Sequence, residues 1–520
     1  MRKPALIMLA VAALASGCTL APTYHRPDAP VSTSFPKGGV YETQPAAGDA
    51  ARSAQGRAAT DIGWNEFFAD PRLKRIIQLA LHDNRDLRVS VLQVEEARAQ
   101  YRIERANLMP TVSVTGTGTR TRTPADLSTV GRATVGSEYE AAAGASWELD
   151  FFGKVRSLSE QALQTYLSTA QARKAAEIAL VSSVADQYLT MIAYDEMLKV
   201  TKGTLDVATN SYKLTKLQFD TGTGSELDLR EAAGTMQQAQ ANYESQQRSR
   251  AQAENALVLL VGEPLPADLP EGLPLNDQNL LTDIPAGLPS DLLTRRPDII
   301  EAEATLKGYN ANIGAARAAF FPSISLTGSM GYASASLGSL FKPGQLAWSF
   351  GPTISVPIFS GGENKANLDL AHLEKNVAIA QYEKAIQTAF REVADGLAAR
   401  GTYDRQISAL RAYTQSQQRR YDLSDLRYRN GVDSYLTVLT AQTDLYSAQQ
   451  SLISASLSRL TNLVDLYQYL GGGWIEHASD QPRAPDAPLY DAPPAAAAPA
   501  SASRRPGAEQ RAEASRVARL

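Results

Sequence analysis

Cysteine is nearly absent: Cys18 is the only one in 520 residues, so no disulfide can form within one chain. Histidine is almost as scarce. His25, His82, His372 and His477 are scattered, and none stands at ligand spacing from Cys18, which argues against a zinc site or a cysteine nucleophile. No charge of one sign dominates: the net charge is -4, charged residues make up 20%, and no basic run carries interleaved aromatics, so nucleic acid is not an expected partner. Long apolar runs are missing too. The longest uncharged one is Ala5 to Ala15, and the mean hydropathy of -0.25 fits a chain without membrane-spanning helices. If this chain crosses a membrane, it does so with strands. The glycine groups at 361–362 and 471–473 are not followed by the Lys and Ser/Thr of a phosphate loop, and catalysis is not expected.

What the sequence does contain is organised around the stretch from Trp348 to Asn430. Trp348, Phe350, Ile354, Val356 and Ile358 share one parity, with Ser349, Gly351, Thr353 and Ser355 on the other, the period-2 pattern of a strand with one apolar face. After Ser360, Gly361 and Gly362 the period becomes helical and runs without proline from 363 to 429, a rod of roughly 100 Å at about 1.5 Å per residue. The same plan occurs earlier. Phe152 maps onto Phe359, Pro110 onto Pro322 and Gly222 onto Gly431, so the chain contains an internal duplication with a unit of about 210 residues. Each unit reads helix, strand, loop, strand, very long helix, turn, long helix.

Around this duplication the chain divides by composition. Arg2 and Lys3 before an apolar run mark residues 1–17 as an export signal. It ends in Ala15, Ser16, Gly17 and Cys18, which resembles the lipobox of bacterial lipoproteins and makes Cys18 the expected lipidation site. Residues 18–60 read as a lipid-anchored extended segment, 61–262 as the first repeat, 263–290 as a linker, 291–474 as the second repeat and 475–520 as a low-complexity tail. Asp70 and Pro71 are expected to cap and open a helix. In the helices after each Gly turn, Leu436, Leu439, Thr443, Tyr446 and their successors, and Leu229, Ala232, Met236 and theirs, follow heptad steps.

Four strands of about ten residues are expected per chain. In the second, Glu138, Glu140, Glu148 and Asp150 share a parity opposite to Tyr139, Ala141, Ala143, Ala145, Trp147 and Leu149, and are read as a lumen-facing polar row. Four strands cannot close a barrel, and an open edge cannot sit in lipid. Two copies would give about eight strands and a filled interior, three about twelve and a pore, so a homotrimer is the economical inference. The expected fold is α+β: a trimeric twelve-stranded barrel that carries long antiparallel helices, the longest of roughly 100 Å.

Several stretches together carry a family resemblance: Cys18 with Pro22, Tyr24 and Pro27; Trp64, Phe67 and Asp70 to Leu73; Asp86, Leu87 and Glu96 to Arg98; LPSDLLTRRPD at Leu288 to Asp298; NIGAARAAFFP at Asn312 to Pro322; and Gly471 to Trp474. The chain resembles the TolC and OprM family of outer-membrane efflux proteins, in its lipoprotein branch, over about residues 18–474. That resemblance implies that the barrel continues into a long antiparallel α-helical periplasmic tunnel, making a passive outer-membrane channel for small molecules, served by a periplasmic adaptor and an inner-membrane pump, with no cofactor beyond the lipid on Cys18. Export of proteins through the same kind of tunnel is the alternative, and a non-conducting trimeric fibre a third reading. The resemblance also places a periplasmic gate at Asp228, Tyr428, Thr437 and Thr440. Relatives often carry Asp at the last two positions; this chain has Thr, which leaves Asp433 as a substitute acid. Arg295 to Asp298 is read mechanically, Pro297 opening a helix and Asp298 favouring its dipole.

Overall fold

The structure, a computed structural model, describes residues 19–41, 57–282, 284–287 and 289–477. The expected export signal, Cys18 and the tail beyond residue 477 lie outside the described residues.

The first repeat begins with a short helical turn at Trp64–Phe67, and Asp70 then caps its first longer helix: its side chain accepts from the N–H groups of Arg72 (2.8 Å) and Leu73 (3.4 Å), with Pro71 as the first helical residue. Helix α1 (Pro71–Asp83) follows, then α2 (Arg85–Ala106), opened by Asn84 accepting from Leu87 N–H at 2.7 Å. Strands β1 (Thr111–Thr123) and β2 (Thr134–Leu149) lead into α3 (Lys154–Asp220) and, after the Gly222 turn, α4 (Glu226–Val261). The second repeat supplies α5 (Pro289–Arg295), α6 (Pro297–Ala318), β3 (Ser323–Ser334), β4 (Leu346–Ser355), α7 (Glu363–Arg429) and α8 (Tyr435–Tyr469). Both α3 and α7 have 67 residues, and their first and last residues are 209 positions apart. The duplication therefore holds to the residue along the two rods.

The strands form one antiparallel sheet in the order β1-β2-β3-β4. Both outer edges are unpaired. The central pairing, β2 with β3, joins the repeats, from Tyr139 opposite Ser334 to Leu149 opposite Ile324.

The apolar core lies among the helices and draws on both repeats. Leu73, Ile76 and Ile77 of α1 are fully buried, each contributing about 1.5–3 kcal/mol. Phe67 stacks on Tyr467 with centroids 4.1 Å apart, and the Tyr467 hydroxyl donates to Ile62 O at 2.6 Å. Asp70 is a hub as well as a cap. Its second oxygen accepts from Tyr188 Oη (2.9 Å), Leu273 N (2.9 Å) and Gln278 Nε2 (3.1 Å), so a fully buried carboxylate is saturated by donors.

The N-terminal segment is extended, as its prolines require, but it is not a free tether over 19–41. It runs against α6 in the opposite sense. Leu20 O accepts from Arg317 (3.1 Å), Pro22 O from Asn310 (2.7 Å), and Tyr24 and Arg26 both donate to Glu303. Phe35 then stacks on Phe390 of α7 at 5.2 Å. Burial alone would raise the pKa of Glu303; Arg26 and Lys307 outweigh it and hold the carboxyl below its ordinary value.

Candidate functional site

The strand register sorts the sheet into two chemically distinct faces. On β1, Thr111, Ser113, Thr115, Thr117 and Thr119 stand opposite Ser146, Gly144, Ala142, Glu140 and Glu138 of β2. The same face continues through Ser325, Thr327 and Ser329 of β3 to Thr353, Gly351 and Ser349 of β4. It carries hydroxyls, small residues and carboxylates only. The reverse face holds Val112 and Val114, Ala141, Ala143, Ala145 and Trp147 of β2, Ile324, Leu326 and Met330, and Trp348, Phe350 and Ile354. Trp348, Phe350 and Ile354 are 74%, 66% and 65% exposed, too much apolar surface to face water.

Glu138, Glu140 and Glu148 lie on the hydroxyl face as expected. Glu148 lies 3.5 Å from Lys154 Nζ, while Glu138 and Glu140 are simply exposed. Asp150 does not belong with them. It follows the end of β2, and its carboxylate accepts from Val155 N (3.2 Å), Arg156 N (2.9 Å) and Arg156 Nε (3.1 Å). The free N–H groups and positive dipole end of α3 recruit this carboxylate, and parity counting cannot register such a competitor.

The opposite end of the molecule is built from two helix turns of matching geometry. Gly222 and Gly431 take φ of 76° and 72°, the left-handed conformation that lets the chain reverse. Gly222 N–H donates to Phe219 O and Thr223 N–H to Gln218 O; Gly431 N–H donates to Tyr428 O and Val432 N–H to Arg427 O. Beyond the turns the chemistry diverges. Ser225 opens α4 by accepting from Asp228 N–H (3.1 Å), and its hydroxyl donates to Asp228 Oδ2 (2.8 Å). The Arg427 guanidinium instead spans the second turn to Asp433, with Nε and Nη2 at 2.6 and 3.2 Å. That hydrogen-bonded pair holds Asp433 below its usual carboxylate range.

Tyr428 links the two hairpins. Its ring lies 5.3 Å from that of Tyr435, and its hydroxyl donates toward Gln218 Oε1 at 3.4 Å. Tyr435 in turn donates to Ser211 at 2.7 Å and packs with Ala232, Val438 and Leu439. Burial, then the nearby Asp228 carboxylate, raise the Tyr428 pKa. The threonines are engaged locally. Thr437 Oγ1 is 3.3 Å from the Ser434 hydroxyl, and Thr440 donates to Leu436 O of its own helix at 2.9 Å.

The structure thus brings Tyr428 and Asp228 together, places Thr437 and Thr440 on the same hairpin end, and diverts Asp433 into an ion pair. A substitute acid at the mouth is therefore already neutralised. Reading the sequence missed Arg427, Gln218 and Tyr435. The signal for the first was present as an Arg and an Asp flanking a glycine turn, where a left-handed residue folds one back on the other. Arg427 and Asp433 also border an open groove with Arg419, Arg420 and Leu423. Among the described residues no group of His, Cys, Asp or Glu could hold a metal, and no helix is long and apolar enough to cross a membrane.

Comparison with known proteins agrees with this geometry. The family profile described as outer membrane efflux protein matches residues 76–263 and 288–472, one segment in each repeat. The probable efflux pump outer membrane protein TtgC of Pseudomonas putida is 50% identical over 477 residues, covering 92% of this chain and 97% of that protein. The outer membrane protein OprJ of Pseudomonas aeruginosa is 45% identical over 482 residues, 92% of this chain and 98% of its own. Among solved structures, the open state of the Neisseria gonorrhoeae MtrE outer membrane channel superposes with a TM-score of 0.77 at 41% identity, covering 89% of this chain and all of that one. The Campylobacter jejuni CmeC outer membrane channel gives 0.81 at 27% identity, over 89% of this chain and 96% of that one.

Proposed function

Because the chain belongs to the outer membrane efflux protein family, we propose that three copies close their four-stranded sheets into one twelve-stranded barrel and conduct small molecules out of the cell. The chain is the outer-membrane channel component of an efflux system. The carrying observation is the sheet itself, with one hydroxylic face, one apolar face and two unpaired edges. Each unpaired backbone group in hydrocarbon costs several kcal/mol, so the edges β1 and β4 must be covered by further copies. Twelve strands leave a pore lined by the Thr, Ser and Glu face.

The helices extend this conduit away from the membrane toward a periplasmic adaptor and an inner-membrane pump, which supply the energy. Conduction through this chain is passive, with no catalytic step. One relative is named for toluene efflux and another for antibiotic efflux, which supports small, largely apolar drugs and solvents as the cargo. A diacylglycerol-type lipid on Cys18 anchors the chain. In support, Leu20 lies against Arg317, one residue before α6 ends and five before the last residue ahead of β3, so the segment heads for the base of the sheet.

Planar-bilayer recording on the purified protein tests the conduit, alongside native mass spectrometry of its oligomeric state. Discrete conductance steps from a trimer are expected; a stable, folded, non-conducting monomer in a bilayer mimetic would overturn it. Intact-mass measurement tests the anchor, which is wrong if Cys18 carries no lipid or residues 1–17 are retained.

A further inference from the structure

The register that separates the two faces leaves one exception, which is confined to the outer end of β1. Across all four strands the apolar face carries only two charged residues, Arg120 and Arg122, opposite Ser137 and Val135 of β2. The acidic residues of the strands are all on the other face. Both arginines are exposed, and among the described residues neither has an ion-pair or side-chain hydrogen-bond partner.

Their height can be reckoned from the strand. Nine residues separate Thr111 from Arg120, about 30 Å of strand, or about 23 Å along the membrane normal at the tilt of about 40° usual for such barrels. The apolar band of such barrels is about 25 Å tall, so Arg120 stands at its outer rim and Arg122 about 5 Å higher. The aromatic residues agree: Tyr139 lies against Gly118, one pairing below Arg120 on this face, and Tyr332 packs edge-on against Phe341 at 5.6 Å near the same end. Tyrosines at the rim with arginines just above them form an interfacial girdle with cations added.

We propose that Arg120 and Arg122 bind the phosphate groups of a phosphorylated lipid headgroup in the outer leaflet. The inference rests on the barrel reading given above. Two guanidiniums on alternate residues of one strand sit about 7 Å apart and project from the same face, and a planar guanidinium takes a phosphate through two parallel N–H donors. Among the described residues no acid of the same chain pairs with either arginine, Asp126 of the β1–β2 loop included. In a closed ring β1 meets β4 of the next copy, whose outer end, residues 342–346, reads Lys-Pro-Gly-Gln-Leu and adds a cation but no acid. Water alone could solvate two such side chains at the rim; what distinguishes a binding site is discrimination for phosphate.

Native mass spectrometry of the detergent-solubilised wild type with diphosphorylated lipid A, against the same lipid A stripped of phosphate, reads that discrimination. The wild-type trimer should retain the phosphorylated form on the order of tenfold more strongly. R120Q/R122Q should lose this preference, R120K/R122K should keep part of it, and R419Q, far away at the helical end, should keep all of it. Equal retention of the two lipids by the wild type, or an undiminished preference in R120Q/R122Q, overturns the proposal. Should R120Q/R122Q fail to trimerise, an R120K/R122K trimer blind to phosphate overturns it instead. A wild type that is folded, monomeric and non-conducting sinks the barrel reading, and this inference with it.

Discussion

Helices α3 and α7 are counterparts in the duplication, equal in length and 209 residues apart, yet they live in different surroundings. Nineteen residues of α3 are buried and only ten of α7. The former is packed by α2, α4, α6 and α8; the latter chiefly by α8 and α6. Position by position the contrast is chemical. Arg173 and Glu177, both buried in α3, correspond to Tyr382 and Ile386 in α7, while half-buried Asp186 corresponds to exposed Asp395. Duplication preserved the length and the turn, the features the backbone needs, and let side chains diverge according to what each rod touches. The less covered rod, α7, has more surface left for neighbouring copies.

The largest expected break in this comparison is at the helix starts. Helix α1 of repeat one opens with Asp70 before Pro71, whereas α6 of repeat two, the counterpart of α2, opens with Arg296 before Pro297. Arg296 pairs with Asp298 (2.6 Å) and Glu392 (2.9 Å), and donates to Tyr469 O. Asp70→Ala strands five donors in a fully buried place and should cost about 3–5 kcal/mol. Arg296→Ala should cost less, because Asp298 and Glu392 are partly solvated. Denaturant unfolding of the two variants checks the order, and an Arg296→Ala loss equal to or above that of Asp70→Ala would refute it.

Asp186 and Asp395 come next. Burial, reinforced by Asp465, pushes the Asp186 carboxyl up to about 8, whereas its ordinary value is 3.8. A carboxyl with a raised folded pKa holds its proton longer in the folded chain than in the unfolded one. Its contribution is therefore most favourable at low pH and is lost progressively as pH rises from about 4 to about 8. Asp186→Asn should raise the melting temperature at pH 8 and flatten its decline from pH 5, with Asp395→Asn changing neither. Parallel thermal melts of both variants at the two pH values decide the matter.

Where the counterparts agree, so should their variants. Gly222 and Gly431 share positive φ, with open space around a would-be Cβ. Ala at either should cost about 1–2 kcal/mol, through backbone strain alone. Hydrogen exchange of the two turns should rise by like amounts; a marked inequality would mean that the Arg427–Asp433 pair, which the first turn lacks, helps to hold the second.

The smallest effects on stability, and the sharpest on conduction, belong to the mouth. Asp228 and Glu231 of α4 correspond to Thr437 and Thr440 of α8, so one hairpin is acidic and the other neutral. Thr437→Asp with Thr440→Asp should make the conductance sensitive to divalent and trivalent cations added on the periplasmic side, to which the wild type is nearly indifferent. Arg427→Gln should do so more weakly, by unmasking Asp433, without altering the melting temperature. Strong block of the wild type would show that an acidic ring already operates there.

Much of this architecture was legible in the sequence because the repeating patterns are long. The bounds of α7 follow from proline-free helical periodicity between two glycine turns, and the faces of the sheet follow from alternation. Legibility failed where a residue answers to something other than its own strand or helix. Asp150 obeys strand parity but serves the start of α3. Leu436, expected in the α8 seam, is 57% exposed, whereas Tyr435 is buried. Near the mouth α8 is covered from α3 and α7 together, and Tyr435 reaches Ser211, which turns the buried stripe by one residue. The packing of residues 19–41 on α6 was hidden because its partners, such as Glu303 and Asn310, lie more than 270 residues away.

That distance bears on how the chain is made. Tyr24 and Arg26 cannot find Glu303 until α6 has been synthesised, and the N–H groups of Trp64 and Asn65 donate to the carbonyls of Ile475 and Glu476, at the far end of the described residues. Contacts of such sequence separation form late, since the closure entropy of the intervening chain must be met first. The earliest residues to be translated are thus among the last to be seated. A chain can have both rods helical and still lack the two clasps that close it, with the apolar face of its sheet uncovered through that interval.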